Sequence, residues 1–132
     1  APTSAQWGYE NRTTAIRIPG GDFASKRIEH RVAGGDTNPY LVMTAVLGSA
    51  LLGIEKKLTP IKPVMNNAYS NSAEKLARNW KDAINYFEND QEIKQIFSNQ
   101  LIENLVRTKR QELNKFKKIE SKKHWKYYVA AV

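Results

Sequence analysis

The sequence predicts an α+β chain that is mostly helical, with two short strands near its start followed by about five helices. Three observations predict this. Residues 11–19 and 26–33 are β-prone or alternating, and each stretch runs into a Gly-Gly-Asp break. From Asn38 onward, apolar residues recur at helical spacing. Residues suited to capping stand ahead of the helical stretches.

The first strand uses Thr13, Thr14, Ile16 and Ile18 and turns at Gly20-Gly21-Asp22; the second ends at Gly34-Gly35-Asp36. Asn38 is a good N-cap. Pro39 suits the first helical position, where its missing N–H has no partner in any case. The helix that follows is apolar nearly all round (Leu41, Val42, Val46, Leu47, Ala50, Leu51, Ile54) and is expected to be buried on most sides. Residues 58–71 form a loop containing Pro60 and Pro63, after which Ser72 is expected to cap a helix with Leu76, Ala77, Trp80, Ala83, Ile84 and Phe87 on one face. Asp90 caps a short turn with Ile93, Ile96 and Phe97. Asn99 opens a longer helix with Leu101, Ile102, Leu105, Val106, Leu113 and Phe116 inward and most of its Lys and Arg outward. Ser121 opens the last helix, which uses Trp125, Tyr128, Val129 and Val132. Trp80 and Trp125 are read as core anchors, and His30 as packing on the face opposite Glu29. There are no internal repeats or low-complexity tracts.

The length of 132 residues is one domain's worth. With no cysteine, disulfide frameworks and thiolate-ligated zinc are excluded, and a reducing, cytoplasmic setting is the expectation. The two histidines lie far apart and suggest no metal pair. The net charge is +8, of which residues 91–132 carry +6; a solvated, Lys-rich helix face explains that more simply than a nucleic-acid or membrane partner. The uncharged run over residues 38–54 falls short of the ~20 apolar residues that span a bilayer and contains Gly48, Ser49 and Gly53, so it reads as a core helix. The chain begins at Ala1 without a leader, and two strands alone make no stable sheet. Both points lead us to expect a fragment whose sheet is completed from elsewhere in a parent protein or by another chain.

In the second strand, Arg27, Glu29 and Arg31 share one face, with Ile28 and His30 on the other. This row is either a solvated ion-pair ladder or part of a site, because a carboxylate is a hard ligand suited to Mg2+ and Arg is a planar fork for carboxylate or phosphate. Arg12 and Arg17 bring two more guanidiniums, and four arginines about one carboxylate suit a polyanion such as a nucleoside triphosphate. Arg12 and Arg17 are five positions apart and would face opposite ways on one regular strand. If both line a site, Arg12 sits in the loop ahead of the strand or a bulge intervenes.

Four stretches resemble the glutamine synthetase family in the family's order. They are Asn11-Arg12-Thr13 through Ile16-Arg17-Ile18-Pro19; Arg27-Ile28-Glu29-His30-Arg31; Asn38-Pro39-Tyr40-Leu41; and Gly53-Ile54 through Lys57-Leu58-Thr59-Pro60. The resemblance is dense over residues 7–60 and thinner but collinear beyond. It implies that residues 1–132 are the C-terminal portion of a catalytic domain, with both strands in its half-barrel sheet. An N-terminal β-grasp domain and the carboxylate-rich strands of the first part of the catalytic domain would lie upstream. It implies an ATP-dependent ligase that joins glutamate to ammonia through a γ-glutamyl phosphate, or to putrescine or another amine, as the γ-glutamylpolyamine synthetase-like branch does.

By the same resemblance, Glu29 is a ligand of Mg2+ or Mn2+, Arg31 holds the α-carboxylate of glutamate, Arg12 lies near substrate and the transferring phosphoryl group, and Arg17 and Arg27 contact nucleotide phosphates. Family members assemble as homo-oligomers of stacked rings, with sites between subunits. Two departures stand out. The loop between Pro19 and Arg27 is about one residue short, and the Lys often found there has no equivalent near Phe23-Ala24-Ser25. Asn67-Ala68-Tyr69 resembles the loop whose tyrosine is adenylylated in some relatives, but relatives without that control also keep a tyrosine, so Tyr69 is read as serving packing or loop structure. A basic helical nucleic-acid-binding module is the remote alternative, and it lacks the aromatic interleaving of a stacking platform. With one carboxylate matching a metal ligand, where a divalent ion needs about six oxygen donors, the isolated chain is expected to be inactive.

Overall fold

The computed structural model describes residues 1–129. They form two compact units, one of Ala1–Gly34 with Gly53–Arg78, the other of Gly35–Leu52 with the chain from Asn79 onward.

The first unit holds a three-stranded sheet in the order β1 (Trp7–Tyr9), β2 (Ile16–Ile18), β3 (Glu29–His30). Strand β1 runs parallel to β2, with Gly8 opposite Arg17, and β2 runs antiparallel to β3, with Arg17 opposite Glu29. Sequence reading did not foresee β1, so the two expected strands have a third neighbour within the chain. Residues 61–66 lie against β1. Val64 N donates to Trp7 O at 2.9 Å, and Trp7 Nε1 donates to Ile61 O at 2.7 Å. Gly8 permits this approach, because a Cβ there would stand 2.6 Å from Val64 O.

Residues 72–79, expected to begin a helix capped by Ser72, are instead non-helical, with a bridge at Lys75 and a bend at Arg78-Asn79. Ser4 bridges Lys75, Ala5 N donates to Glu74 O, and Leu76 N donates to Thr3 O. Pairing with the chain's first residues satisfies backbone groups that a helix would have used.

The second unit is helical. Helix α1 (Pro39–Glu55) begins where Asn38 predicts, with Asn38 Oδ1 accepting from Tyr40 N and Leu41 N. None of its residues is buried; only one side, including Leu41 and Ala45, meets the core, while Met43, Leu47 and Leu51 are exposed. Propensity and capping make the helix, but burial on most sides needs partner surfaces that the described residues supply on one side alone.

Helix α2 (Trp80–Asn89) is capped by Asn79, and α3 (Ile93–Ile96) follows Asp90, whose Oδ1 accepts from Ile93 N. Helix α4 (Asn99–Phe116) is capped by Ser98 rather than by Asn99. Ile84, Phe97, Ile102 and Val106 form the buried core. Phe116 is ringed by Trp80, His124, Tyr127 and Tyr128 at centroid distances of 4.8 to 5.8 Å. The final helix is one turn, α5 (Trp125–Tyr128), after a 3-10 turn at Ser121–Lys123. Trp80 packs on the core as expected, but Trp125 is 59% exposed and so is no anchor, because the ring cluster closes through Tyr127 and Tyr128 instead. His30 is likewise exposed. Val132 lies outside the described residues.

Among the described residues, no helix is long and apolar enough to cross a membrane.

Candidate active site

The charged groups singled out in the sequence cluster on the sheet of the first unit, and their order follows from register. Because Arg17 stands opposite Glu29, the two side chains project from the same face of adjacent strands. Arg17 Nη1 donates to Glu29 Oε2 at 2.9 Å, and Arg27 Nη2 donates to Glu29 Oε1 at 2.9 Å. The other end of the Arg17 guanidinium meets a residue that sequence reading assigned no role: Nη2 donates to Glu10 Oε2 at 2.6 Å. Four charges of alternating sign therefore stand in a row, Glu10, Arg17, Glu29, Arg27. Arg17 is the best covered, with 12% of its side chain exposed; Glu29 is at 28% and Arg27 at 55%. The middle of the row, Arg17 and Glu29, is carried on paired strands and partly covered, while its ends, Glu10 and Arg27, are open to solvent.

The electrostatics follow. Glu29 is held below the usual carboxylate range, first by the Arg17 hydrogen bond, then by Arg27, against a desolvation that works the other way. Glu10 is also lowered, first by the Gly20 N–H it accepts and then by Arg17. Arg17 is raised, its bond to Glu10 contributing most and that to Glu29 next. All three are charged at neutral pH.

Arg31 is placed differently. Its guanidinium Nη1 donates to the carbonyl oxygens of Arg12 and Thr14, and its backbone N donates to Ala15 O. It braces the turn that carries Arg12 and does not pair with Glu29. Arg12 itself is exposed in that turn, ahead of β2, where the spacing argument required it if it shared a site with Arg17. It borders an open hollow of about 560 Å³ with Tyr9, Glu10, Asn11, Met65 and Asn66.

Asn11 ties the turn to the following loop. Its Nδ2 donates to Val64 O at 2.9 Å and to Asn66 O at 2.8 Å, while Oδ1 accepts from Thr13 N and Thr13 Oγ1. Thr13 Oγ1 accepts in turn from Ala68 N. The Tyr69 loop is thus stitched to the Arg12 turn, and the Tyr69 hydroxyl donates to Ala1 O at 3.2 Å.

A model of the family described as "Glutamine synthetase, catalytic domain" matches residues 1–128. The chain belongs to the glutamine synthetase family. Relatives within it include a glutamate–isopropylamine ligase from Pseudomonas sp, 38% identical over 80% of this chain and 24% of the relative. Another is the γ-glutamylputrescine synthetase PuuA of Escherichia coli, 43% identical over 67% of this chain and 19% of the relative. A ligand-free structure of GmaS superposes with a TM-score of 0.77 at 28% identity, over 94% of this chain and 29% of that one. The chain thus spans about a quarter or less of the length of these curated relatives. Among glutamine synthetase features, the resemblance pointed to Glu29 and four arginines, and the fold brings Glu29, Arg17 and Arg27 into direct contact while Arg12 and Arg31 meet at the turn. Glu10 was missed because a lone Glu in a turn carries no pattern; only the parallel pairing of β1 with β2 brings it to Arg17.

A divalent cation fits this cluster as one ligand's worth. Both Glu29 oxygens already accept from guanidiniums, and each keeps a second lone pair for a cation. Among the described residues, no group of three or more His, Asp or Glu stands ready to hold an ion alone.

Proposed function

We propose that this chain supplies one wall of the active site of an ATP-dependent glutamate–amine ligase, as the C-terminal portion of its catalytic domain, with the remaining ligands contributed by protein outside it. The supporting observation is the Arg17–Glu29–Arg27 row on a family-matching sheet. Glu29 would be one oxygen ligand of Mg2+ or Mn2+. The cation, when bound, would neutralise charge between ATP phosphates and the substrate carboxylate. Arg27, the more exposed of the flanking arginines, and Arg17, through its remaining N–H groups, would contact nucleotide phosphates.

Arg12, exposed in a braced turn, would meet the γ-phosphoryl group as it passes to the glutamate γ-carboxylate. Arg31 would grip the α-carboxylate through the guanidinium nitrogens not bonded to the turn. In the first step a γ-carboxylate oxygen attacks the terminal phosphorus and ADP leaves. In the second, an amine attacks the acyl carbon, inorganic phosphate leaves, and the amine's proton is lost. The residues here position and neutralise; fixed guanidiniums cost no reorganisation as charge shifts. The acceptor is ammonia or an organic amine, and the isopropylamine and putrescine ligases among the relatives support the latter. The parent would be a cytoplasmic homo-oligomer of stacked rings.

The test is to exchange this chain for the matching segment of the Pseudomonas isopropylamine ligase and assay hydroxylamine, ammonium, isopropylamine and putrescine with glutamate, ATP and Mg2+. ATP-dependent γ-glutamyl transfer, reduced at least about 100-fold by Glu29→Gln, is expected. A folded, active chimaera indifferent to Glu29→Gln would refute the assignment.

A further inference from the structure

We infer that Glu10 is a positioning residue for the Arg17–Glu29 pair: it fixes the Arg17 guanidinium from the side opposite Glu29 and offsets its charge, so that Glu29 keeps its own charge for a cation. The charge-offset half rests on the reading of Glu29 proposed above; the fixing of Arg17 does not.

The geometry is specific. Glu10 has φ of +50°, one of two non-glycine residues with positive φ among the described residues. That left-handed backbone is unfavourable for a residue with a Cβ and is found where the surroundings impose it. Here Glu10 N donates to Ile18 O at 3.0 Å, which pins the turn after β1 to the end of β2. The side chain then folds back over Gly20, whose N–H donates to Oε1, and a Cβ on Gly20 would stand 3.1 Å from that oxygen. With Oε1 held by backbone, Oε2 is aimed at Arg17 Nη2.

Arg17 is largely covered, and its Nε is buried with no hydrogen-bond partner among the described residues. Its two Nη groups are therefore what holds it, one on each carboxylate. Without Glu10, the guanidinium would be fixed at one end only. The charge count points the same way. Arg17 and Arg27 place two positive charges on Glu29, which would repel an approaching cation, and Glu10 returns the row of four to neutrality.

The test uses the 132-residue chain labelled with 15N, reading the Arg17 guanidinium nitrogens, assigned through Arg17→Lys. In Glu10→Gln, restricted rotation and exchange protection of the Arg17 Nη groups should fall at least about tenfold, with the Ile16–Ile18 amide signals in place. Mn2+ titration of the chimaeric ligase carrying the same substitution, read from the paramagnetic resonance signal of free Mn2+, should show an affinity lower by about tenfold, within the range for groups that orient a metal ligand. Glu10→Asn separates this from a folding defect. Asn favours the left-handed backbone, so the turn keeps its shape while the carboxylate is lost, and the same release of Arg17 is expected. Arg17 nitrogens as protected in both variants as in the parent would overturn the inference, and so would an unchanged Mn2+ affinity alongside a released Arg17. If Glu29→Gln leaves the Mn2+ effect intact, the reading of Glu29 fails, and the Arg17 nitrogens still decide whether Glu10 holds that side chain.

Discussion

Asn11→Asp is a nearly isosteric change with a large expected effect. The side-chain amide of Asn11 donates to Val64 O and Asn66 O, while its oxygen accepts from Thr13 N and Thr13 Oγ1. Asp keeps both acceptor contacts and replaces both donors with an oxygen facing two carbonyl oxygens. Two lost hydrogen bonds at about 1 kcal/mol each, plus the cost of a carboxylate oxygen set against carbonyls, give a loss of about 2–4 kcal/mol. The loss should be local to the first unit. Urea unfolding read by amide hydrogen exchange should show protection falling at Val64 and Ala68 and in β1, while the Ile84, Ile102 and Val106 amides of the second unit keep theirs. In a completed ligase the same change should lower turnover through Arg12, whose turn and the Tyr69 loop share this stitch. A variant within about 0.5 kcal/mol of the parent, or one that loses protection equally in both units, would refute the idea that Asn11 staples the loop to the Arg12 turn.

Other outcomes follow from the same contacts. Phe116→Ala removes the hub of four ring contacts and should cost the second unit about 3–5 kcal/mol, with loss of near-ultraviolet dichroism, read in a urea melt. Glu10 and Glu29 have folded-state values below their ordinary ones, so their contribution to stability is complete above the unfolded Glu range, near about 4.3, and is lost as pH falls through the depressed values. Acid titration should therefore loosen exchange protection of β2 and β3 only below that range. A midpoint at neutral pH would contradict the ion-pair row.

How much was legible in the sequence differs by residue. The helix at Asn38-Pro39 was readable because cap and first-turn chemistry are local, and so was the short helix after Asp90. Arg27 does pair with Glu29 as the two-residue spacing suggested, but the strand expected over residues 26–33 is only Glu29–His30, so Arg27 reaches that carboxylate from outside it. Strand β1 was not, since Trp7-Gly8-Tyr9 shows no alternating pattern and takes its identity from a parallel partner nine residues away. Residues 72–79 misled because Ser72 and the apolar spacing were consistent with a helix, while the competing partner, residues 3–5, lies some 70 positions away. Arg31 shared a face with Glu29 by count, yet its long side chain reaches the Arg12 turn, which strand periodicity cannot foresee. Trp125 was misjudged because the Phe116 cluster closes through the tyrosines next to it.

The central proposal is Glu29 as a cation ligand, with Arg17 and Arg27 contacting nucleotide phosphates. Anomalous diffraction from the chimaeric ligase crystallised with Mn2+ and a non-hydrolysable ATP analogue tests this directly. A manganese peak about 2.0–2.3 Å from a Glu29 carboxylate oxygen, with phosphate oxygens in reach of Arg27 or Arg17, is the predicted result. Manganese and nucleotide bound on other carboxylates, with Glu29 touching only its two arginines, would contradict it.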